Sequence, residues 1–424
     1  MNRTVGLRAL GMVALLFLGV VVGCDRHSSA PLRVGVVHSL TGTMAVSEKP
    51  LVDAVKMAVD EINAQGGVLG RKVEMVVADS HSKPDLAAQE AERLISSEKV
   101  DVLFACWTSA CRQAVKPVVE RHHHLMFYPL QYEGLEASPN IFCTGSTANQ
   151  QIIPGTHWAL EHLGKRVLLV GSNYVFPRIA NQIIHDVVQA NAGAAAGAEI
   201  VGEFYLPLGS VDFSQVIEAI QRTRPDVILN TVNGDSNVAL FSALSKAGFN
   251  QLPVMSFSVD ASTLATLLPF GHSQHYAAWS YFQSLPGEAN QLFVAAWQVR
   301  QGKNAATSDP IEAAYFGVKL WAQAVKSAGS AKLDEVNLVL ARESVAAPSG
   351  ILAVDASTRH LWKPFHVGKA RASASGAQGA FDVVFSPGIL LRPEPFPVYR
   401  MRDAWENIGL SAVIDSREPQ AVQP

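Results

Sequence analysis

The sequence predicts an α/β protein of two doubly wound lobes that face one another across a ligand cleft. Three observations carry that prediction. From residue 32 to 128, short apolar, β-branched runs alternate with stretches of helical spacing, the signature of a parallel sheet wrapped by helices. From residue 149 to 256 the alternation starts again without repeating the first sequence. The runs at 102–105 and 125–128 both end in aromatic and hydroxyl-bearing residues: Trp107, Thr108 and Ser109 after the first, Tyr128, Gln131 and Tyr132 after the second. Open parallel sheets bind ligands just beyond the carboxyl ends of their strands, so this one βαβ unit sets two aromatic rings and several polar groups over one crevice.

Arg3 and Arg8 precede an apolar run at 9–22, too short for a comfortable membrane span but right for the core of a signal peptide. The run ends in Val21-Val22-Gly23-Cys24, which resembles a bacterial lipobox with cleavage before Cys24 and lipidation of its thiol. Asp25 then resembles the signal for retention in the inner membrane. The alternative is an ordinary signal with an incidental cysteine. Residues 1–23 are expected to be a signal peptide and 24–32 a lipidated tether.

The first lobe, 33–147, opens on a strand at 32–37, of the kind buried on both faces of a parallel sheet. Its loop, 38–44, carries hydroxyls and a glycine. A helix at 51–63 stops at Gly66-Gly67, and strand 73–78, helix 86–98 and the opening βαβ unit follow. The second lobe, 148–275, holds helices at 150–163, 178–190, 213–223 and 236–247, and strands at 166–171, 200–205, 226–231 and 253–256. Three further helices, at 291–300, 310–327 and 333–341, then form a return to the first lobe (276–345). Short strands at 351–354, 365–369 and 381–385 form a return to the second (346–412), and 413–424 is a polar tail.

Hydrophobic residues make up 48% of the 424 residues and charged ones 17%, enough apolar material for two cores and little sign of disorder. A net charge of −3 without a long basic run argues against nucleic acid as a partner. Beyond Cys24 the cysteines are Cys106, Cys111 and Cys143. An oxidising compartment allows one pair and leaves one thiol, and the spacing does not decide which; buried free thiols are the other reading. His122-His123-His124 suggests a metal site, but consecutive residues at a helix end point in different directions, so an exposed cluster is expected and no metal. No G-x-S-x-G and no H-E-x-x-H is present, so neither catalytic residues nor a cofactor are expected.

Several stretches together are specific: HSLTGTMAVSE (38–48), EINAQGGVLGRKVE (61–74), CWTSACRQAVKPV (106–118), FYPLQYEG (127–134), SPNIFCTGSTANQQIIP (138–154), YVFPR (174–178), TVNGDSN (231–237) and DPIEAAYFG (309–317). With them the chain resembles the type I periplasmic binding proteins of the branched-chain amino acid and amide group, closest to the urea-type substrate-binding proteins of ABC transporters. The resemblance implies the type I periplasmic binding protein fold: two Rossmann-like lobes joined by three crossovers and closed by a hinge. It also implies delivery of urea or a short-chain amide to an inner-membrane ABC permease with its ATPase subunits, with membrane contact through the lipid anchor only. A related amide sensor, which regulates an aliphatic amidase operon, contacts its ligand from the positions matching Trp107, Ser109, Tyr128, Tyr174 and Phe176. Trp107 and Phe176 stand where the sensor has tyrosines, and Leu130-Gln131 replaces its Thr-Pro, which favours the urea-type branch. A sensor and a branched-chain amino acid binder remain the alternative functions.

Urea is flat, with one carbonyl acceptor and four N–H donors, and each of these left unpaired in a dry site costs about 1–3 kcal/mol. The expected binding residues are therefore Trp107, Thr108, Ser109, Tyr128, Gln131, Tyr132, Tyr174 and Phe176, with Asn233 and Asp235 on the opposite lip. The aromatics would enclose a planar amide. The competing readings are core aromatics for Trp107 and Tyr128, a helix N-cap for Asp235 and a hinge-side wedge for Tyr174 and Phe176.

Overall fold

In the computed structural model, which describes residues 30–191, 197–371 and 380–396, both predicted lobes are present. The expected signal peptide, Cys24, the expected tether up to residue 29 and the expected tail from 413 lie outside the described residues. The first lobe runs β1 (Leu32–His38), α1 (Ala45–Ala64), β2 (Val73–Asp79), α2 (Pro84–Ser96), β3 (Val102–Ala105), α3 (Ser109–Arg121), β4 (Met126–Tyr128) and β5 (Ile141–Cys143). All five strands are parallel, in the order β2-β1-β3-β4-β5. Helix α1 begins six residues before the sequence placed it. Pro50 reads as a helix boundary, but so near the N-terminus its missing N–H disturbs few helical bonds.

The second lobe runs α4 (Ile152–His162), β6 (Arg166–Ser172), α5 (Val175–Asn191), β7 (Glu199–Leu206), α6 (Ser214–Thr223), β8 (Val227–Thr231), α7 (Ser236–Lys246), β9 (Val254–Ser256), α8 (Ala261–Leu267) and β10 (His275–Trp279). After it come α9 (Glu288–Gln301), α10 (Asp309–Ala328), α11 (Leu333–Leu340), β11 (Ser344–Ala347), β12 (Gly350–Asp355), β13 (His360–Leu361), β14 (Lys363–Pro364), β15 (His366–Ala370), β16 (Phe381–Phe385) and β17 (Leu390–Leu391). The second sheet has the order β16-β15-β10-β9-β8-β6-β7, with β15 and β16 antiparallel to their neighbours. The short alternating α8 was not anticipated.

The lobe boundaries differ from the sequence reading in two places. Strand β10 pairs with β9, so residue 276 lies inside the second sheet and the chain leaves that lobe only after Trp279. Strands β11, β12 and β13 form their own antiparallel sheet, and their inward residues Val345, Leu352 and Leu361 bury in the first lobe's core beside α10. Residues 346–361 therefore belong to the first lobe. A strand pattern reports burial of one face but not which core receives it, which is why the two were exchanged.

Among the described residues the chain crosses between lobes at three places: after β5, after β10 and around β14. One buried ion pair ties them together. The Lys363 ammonium donates to the Thr144 carbonyl on the first crossover (3.1 Å) and lies 3.5 Å from the Asp309 carboxylate at the start of α10. Asp309 in turn accepts the Ser280 N–H of the second crossover at 3.0 Å, and the Ser146 and Ser280 hydroxyls bond directly at 2.7 Å. Glu312, one turn further along α10, accepts the Ser349 N–H at 2.7 Å. Burial pushes its carboxyl up to about 7, with Lys363 opposing and Asp309 reinforcing the shift.

Candidate ligand-binding cleft

In each sheet the strand order reverses at one point, between β1 and β3 in the first lobe and between β6 and β8 in the second. The loops leaving those strands diverge there and open a crevice beyond the strand ends. The two crevices face each other. Between them lies a cavity of about 560 Å³, walled by Ser39, Glu48, Ser80 and Thr108 from the first lobe and Asn173 and Tyr174 from the second.

The loop after β3 is held by covalent and capping constraints. Cys106, in the left-handed region at φ 70°, is disulfide-bonded to Cys111, so the pairing that spacing left open closes around Trp107, Thr108 and Ser109. Cys143 is free and buried, and burial pushes its thiol up to about 12. The Thr108 hydroxyl caps α3 by accepting the Cys111 N–H at 3.1 Å.

Behind that loop the aromatic pair surrounds a cation rather than the cavity. The Arg112 guanidinium lies 4.8 Å from the Tyr128 ring centroid and 4.5 Å from that of Tyr132. It donates to Glu133 at 2.9 Å, Glu136 at 3.2 Å and the Ser109 hydroxyl at 3.0 Å. The Ser109 hydroxyl in turn donates to Glu133 at 2.6 Å. The Tyr128 hydroxyl donates to the Trp107 carbonyl at 2.6 Å, and Tyr132 stacks on His360 and bonds its Nε2 at 2.7 Å.

Hydrogen bonds join the lobes across the cleft. The Trp107 indole N–H donates to the Asn233 side-chain oxygen at 3.1 Å, and the Gln131 amide donates to the Phe257 carbonyl at 2.9 Å. At the lip the Asp235 N–H donates to the Thr43 carbonyl at 3.1 Å, while the Thr43 hydroxyl bonds the Asp235 carboxylate. The Asp235 side chain makes no capping bond to α7, so it bridges the lobes instead of capping its helix. Gly234 permits this approach: at φ 65° a Cβ there would lie 2.6 Å from the Thr43 oxygen.

Of the ten residues expected from sequence, Thr108 and Tyr174 line the cavity. Trp107, Asn233, Gln131 and Asp235 hold the lobes against each other, while Ser109, Tyr128 and Tyr132 belong to the Arg112 network. Phe176 packs in the second lobe's core. Tyr174 is half-buried, and its phenol donates to no group among the described residues. Its ionisation is pushed well up by burial first, then by Tyr128, Glu133 and Glu48.

Sequence reasoning missed Glu48. It sits on the stripe of α1 that also carries Leu51, Val55, Ala58 and Ile62, is only 3% exposed, and accepts from His38 Nδ1 (2.9 Å), the Ser39 N–H (2.9 Å) and the Ser39 hydroxyl (2.8 Å). The available signal was a lone carboxylate on an otherwise apolar helical face. Of the three histidines, His122 bonds Glu92 at 2.6 Å and His123 bonds Asp334 at 3.0 Å, so they face different acids.

A family model described as a periplasmic binding protein domain matches residues 32–402. The chain is 24% identical over 388 residues to a Leu/Ile/Val-binding protein homolog of Brucella melitensis, covering 85% of this chain and 90% of that one. It is also 24% identical over 356 residues to a Leu/Ile/Val-binding protein homolog of Brucella suis, covering 78% and 85%. Among solved structures, an ABC-transporter solute-binding protein from Rhodopseudomonas palustris in complex with 3,4-dihydroxybenzoic acid superposes with a TM-score of 0.73 at 20% identity, over 84% of this chain and 97% of that one. A leucine-binding protein from Thermotoga maritima superposes at 0.71 with 18% identity, over 84% and 98%. Those structures share the fold, and with the family model spanning nearly all the described residues, the chain belongs to the periplasmic binding protein family.

Proposed function

We propose that this protein, a periplasmic solute-binding protein of the ABC-transporter type, captures urea or a closely related short-chain amide between its lobes. It then presents that cargo to an inner-membrane permease, tethered by a lipid on Cys24. The observation that carries the amide reading is the commitment of the cleft's cations. Arg112 is saturated by Glu133 and Glu136, and Arg178 is held by Asn173 (2.8 Å) and the face of Tyr205. Lys83 stands at the exposed mouth near Asp85. A carboxylate carried into the inner cleft would meet Glu48 with no buried cation to balance it, which is costly. A neutral ligand rich in N–H groups meets no such penalty.

Urea has four heavy atoms, and about 1.5 kcal/mol per atom is the ceiling for very small ligands, so binding near 6 kcal/mol is expected. That corresponds to a dissociation constant on the order of tens of micromolar. The family's Leu/Ile/Val-binding homologues and Lys83 at the mouth favour a second reading, in which an α-amino acid places its ammonium at Glu48 and its carboxylate near Lys83. Calorimetric titration with urea, acetamide, formamide, leucine and benzoate separates the two. Saturable heat from urea or acetamide alone supports the amide reading, and saturation by leucine alone rejects it.

A further inference from the structure

The hydroxyl protons along the first-lobe wall can be assigned by counting valences. An ionised Glu48 can only accept, so His38 Nδ1 carries the proton in their 2.9 Å bond. The Ser39 hydroxyl has one proton, and it goes to Glu48 Oε1 at 2.8 Å. Ser39 Oγ is also 2.9 Å from Ser80 Oγ and 3.2 Å from the Ser82 N–H. With its own proton spent on Glu48, Ser39 accepts from both, so Ser80 is the donor in that pair. The Ser82 proton goes to the Thr41 carbonyl at 3.0 Å, while its oxygen accepts the Met44 N–H. Thr108 uses one lone pair on the Cys111 N–H and keeps its proton.

The direction of this chain fixes the polarity of the wall. Ser80 has no proton left for a ligand but has lone pairs to offer. Glu48 Oε1 accepts once, from Ser39, and retains capacity for another donor, whereas Oε2 is filled by His38 and the Ser39 N–H. Across the cavity the Tyr174 phenol has a proton and no protein acceptor among the described residues. The first lobe thus presents acceptors at Glu48 and Ser80 with one hydroxyl donor, Thr108, at their side, and the second lobe presents the Tyr174 donor.

From this juxtaposition we infer that Glu48, polarised through His38 and Ser39, reads the N–H groups of the cargo together with Ser80, while Tyr174 of the opposite lobe donates to its carbonyl. The inference rests on the cleft being the ligand site and deepens the amide reading. It assigns an orientation, nitrogens to the first lobe and oxygen to the second, and makes one small molecule bond both lobes at once. Glu48 selects for N–H donors and against carboxylates, because a charged acceptor in a desolvated wall is stabilised by the former and opposed by the latter.

The test is calorimetry on the full mature chain and two variants, with urea, N,N′-dimethylurea and tetramethylurea as probes. In the native protein affinity falls as N–H groups are replaced, with tetramethylurea at least 100-fold weaker than urea. In Glu48→Gln an amide N–H₂ competes for the wall, and urea weakens 10- to 100-fold. Tyr174→Phe removes one hydroxyl with no protein partner, so its unliganded melting temperature stays within about 2 °C of native while urea weakens 5-fold or more. Urea binding within 2-fold of native in both variants overturns the assignment. Should Glu48→Gln fail to fold, the Tyr174→Phe result and the methylation series decide alone. If the native protein binds none of the ureas or amides but does bind leucine or benzoate, the amide reading fails. The variants are then titrated with that ligand: a 10-fold loss in Glu48→Gln preserves the acceptor wall, and unchanged affinity discards it.

Discussion

The hinge and the cleft are both lined with buried polar and charged groups, yet they are used oppositely. At the hinge, the Lys363 ammonium and Asp309 carboxylate spend their bonding capacity on one another and on backbone groups of separate crossovers. In the cleft, the Arg112 network is likewise saturated, but the layer in front of it retains unspent groups in Glu48 Oε1, Ser80 and Tyr174. Groups whose partners are all internal fix geometry; groups with spare capacity invite an outside partner. Spare capacity alone does not make a recognition surface, since among the described residues Glu312 Oε2 and Ser349 Oγ beside the hinge are also buried without a hydrogen-bond partner; what sets the cleft apart is that its spare groups line a cavity.

Breaking the hinge should have the largest effect. Lys363→Met leaves Asp309 and Glu312 buried without their cation, and unfolding free energy by denaturant titration is expected to fall by about 3–5 kcal/mol. A loss below about 1 kcal/mol would mean the crossovers are held by packing alone. Sharpening the cleft side comes next. Gly234→Ala drives a methyl against the Thr43 carbonyl only when the lobes meet, so ligand affinity should drop about tenfold, roughly 1.4 kcal/mol, in calorimetry. The left-handed backbone at that position adds a cost of about 1 kcal/mol to the unliganded protein as well.

The smallest effect is a pH dependence. Glu312 holds its proton in the folded state up to about 7, whereas the ordinary value is 4.5. Between those values the folded chain binds a proton that the unfolded chain has lost, so stability declines as pH rises through the window and is level outside it. Glu312→Gln should flatten that slope, measured as melting temperature from pH 4.5 to 7.5. An unchanged slope would assign it to other groups.

Much of the fold was legible because parallel strands buried on both faces are nearly continuous apolar runs, as in Val102–Ala105, and helices such as α6 bury one face at helical spacing, Val216, Ala219 and Ile220. The destination of β11, β12 and β13 was not, since alternation along a short strand says nothing about which core it faces. The site was legible to the level of loops. Strand-end position brought Thr108 to the cavity and the resemblance to the amide sensor brought Tyr174, but the strand-end rule also drew in Tyr128 and Tyr132, whose rings Arg112 occupies. That capture depends on a residue three positions along α3 and on Glu133 and Glu136 meeting it from another loop, a convergence with no local signature. Glu48 escaped because the sequence placed the helix from residue 51, which left this carboxylate in the segment before it, whereas α1 begins at Ala45 and carries Glu48 on its buried face.

The central claim is that a small amide joins the two lobes by completing the unspent valences of the cleft. Small-angle X-ray scattering during titration of the mature protein with urea and acetamide tests it most directly. The account predicts a radius of gyration that falls on addition and saturates at the same midpoint as the calorimetric heat. Closure driven by leucine or benzoate, with no response to either amide, would contradict it.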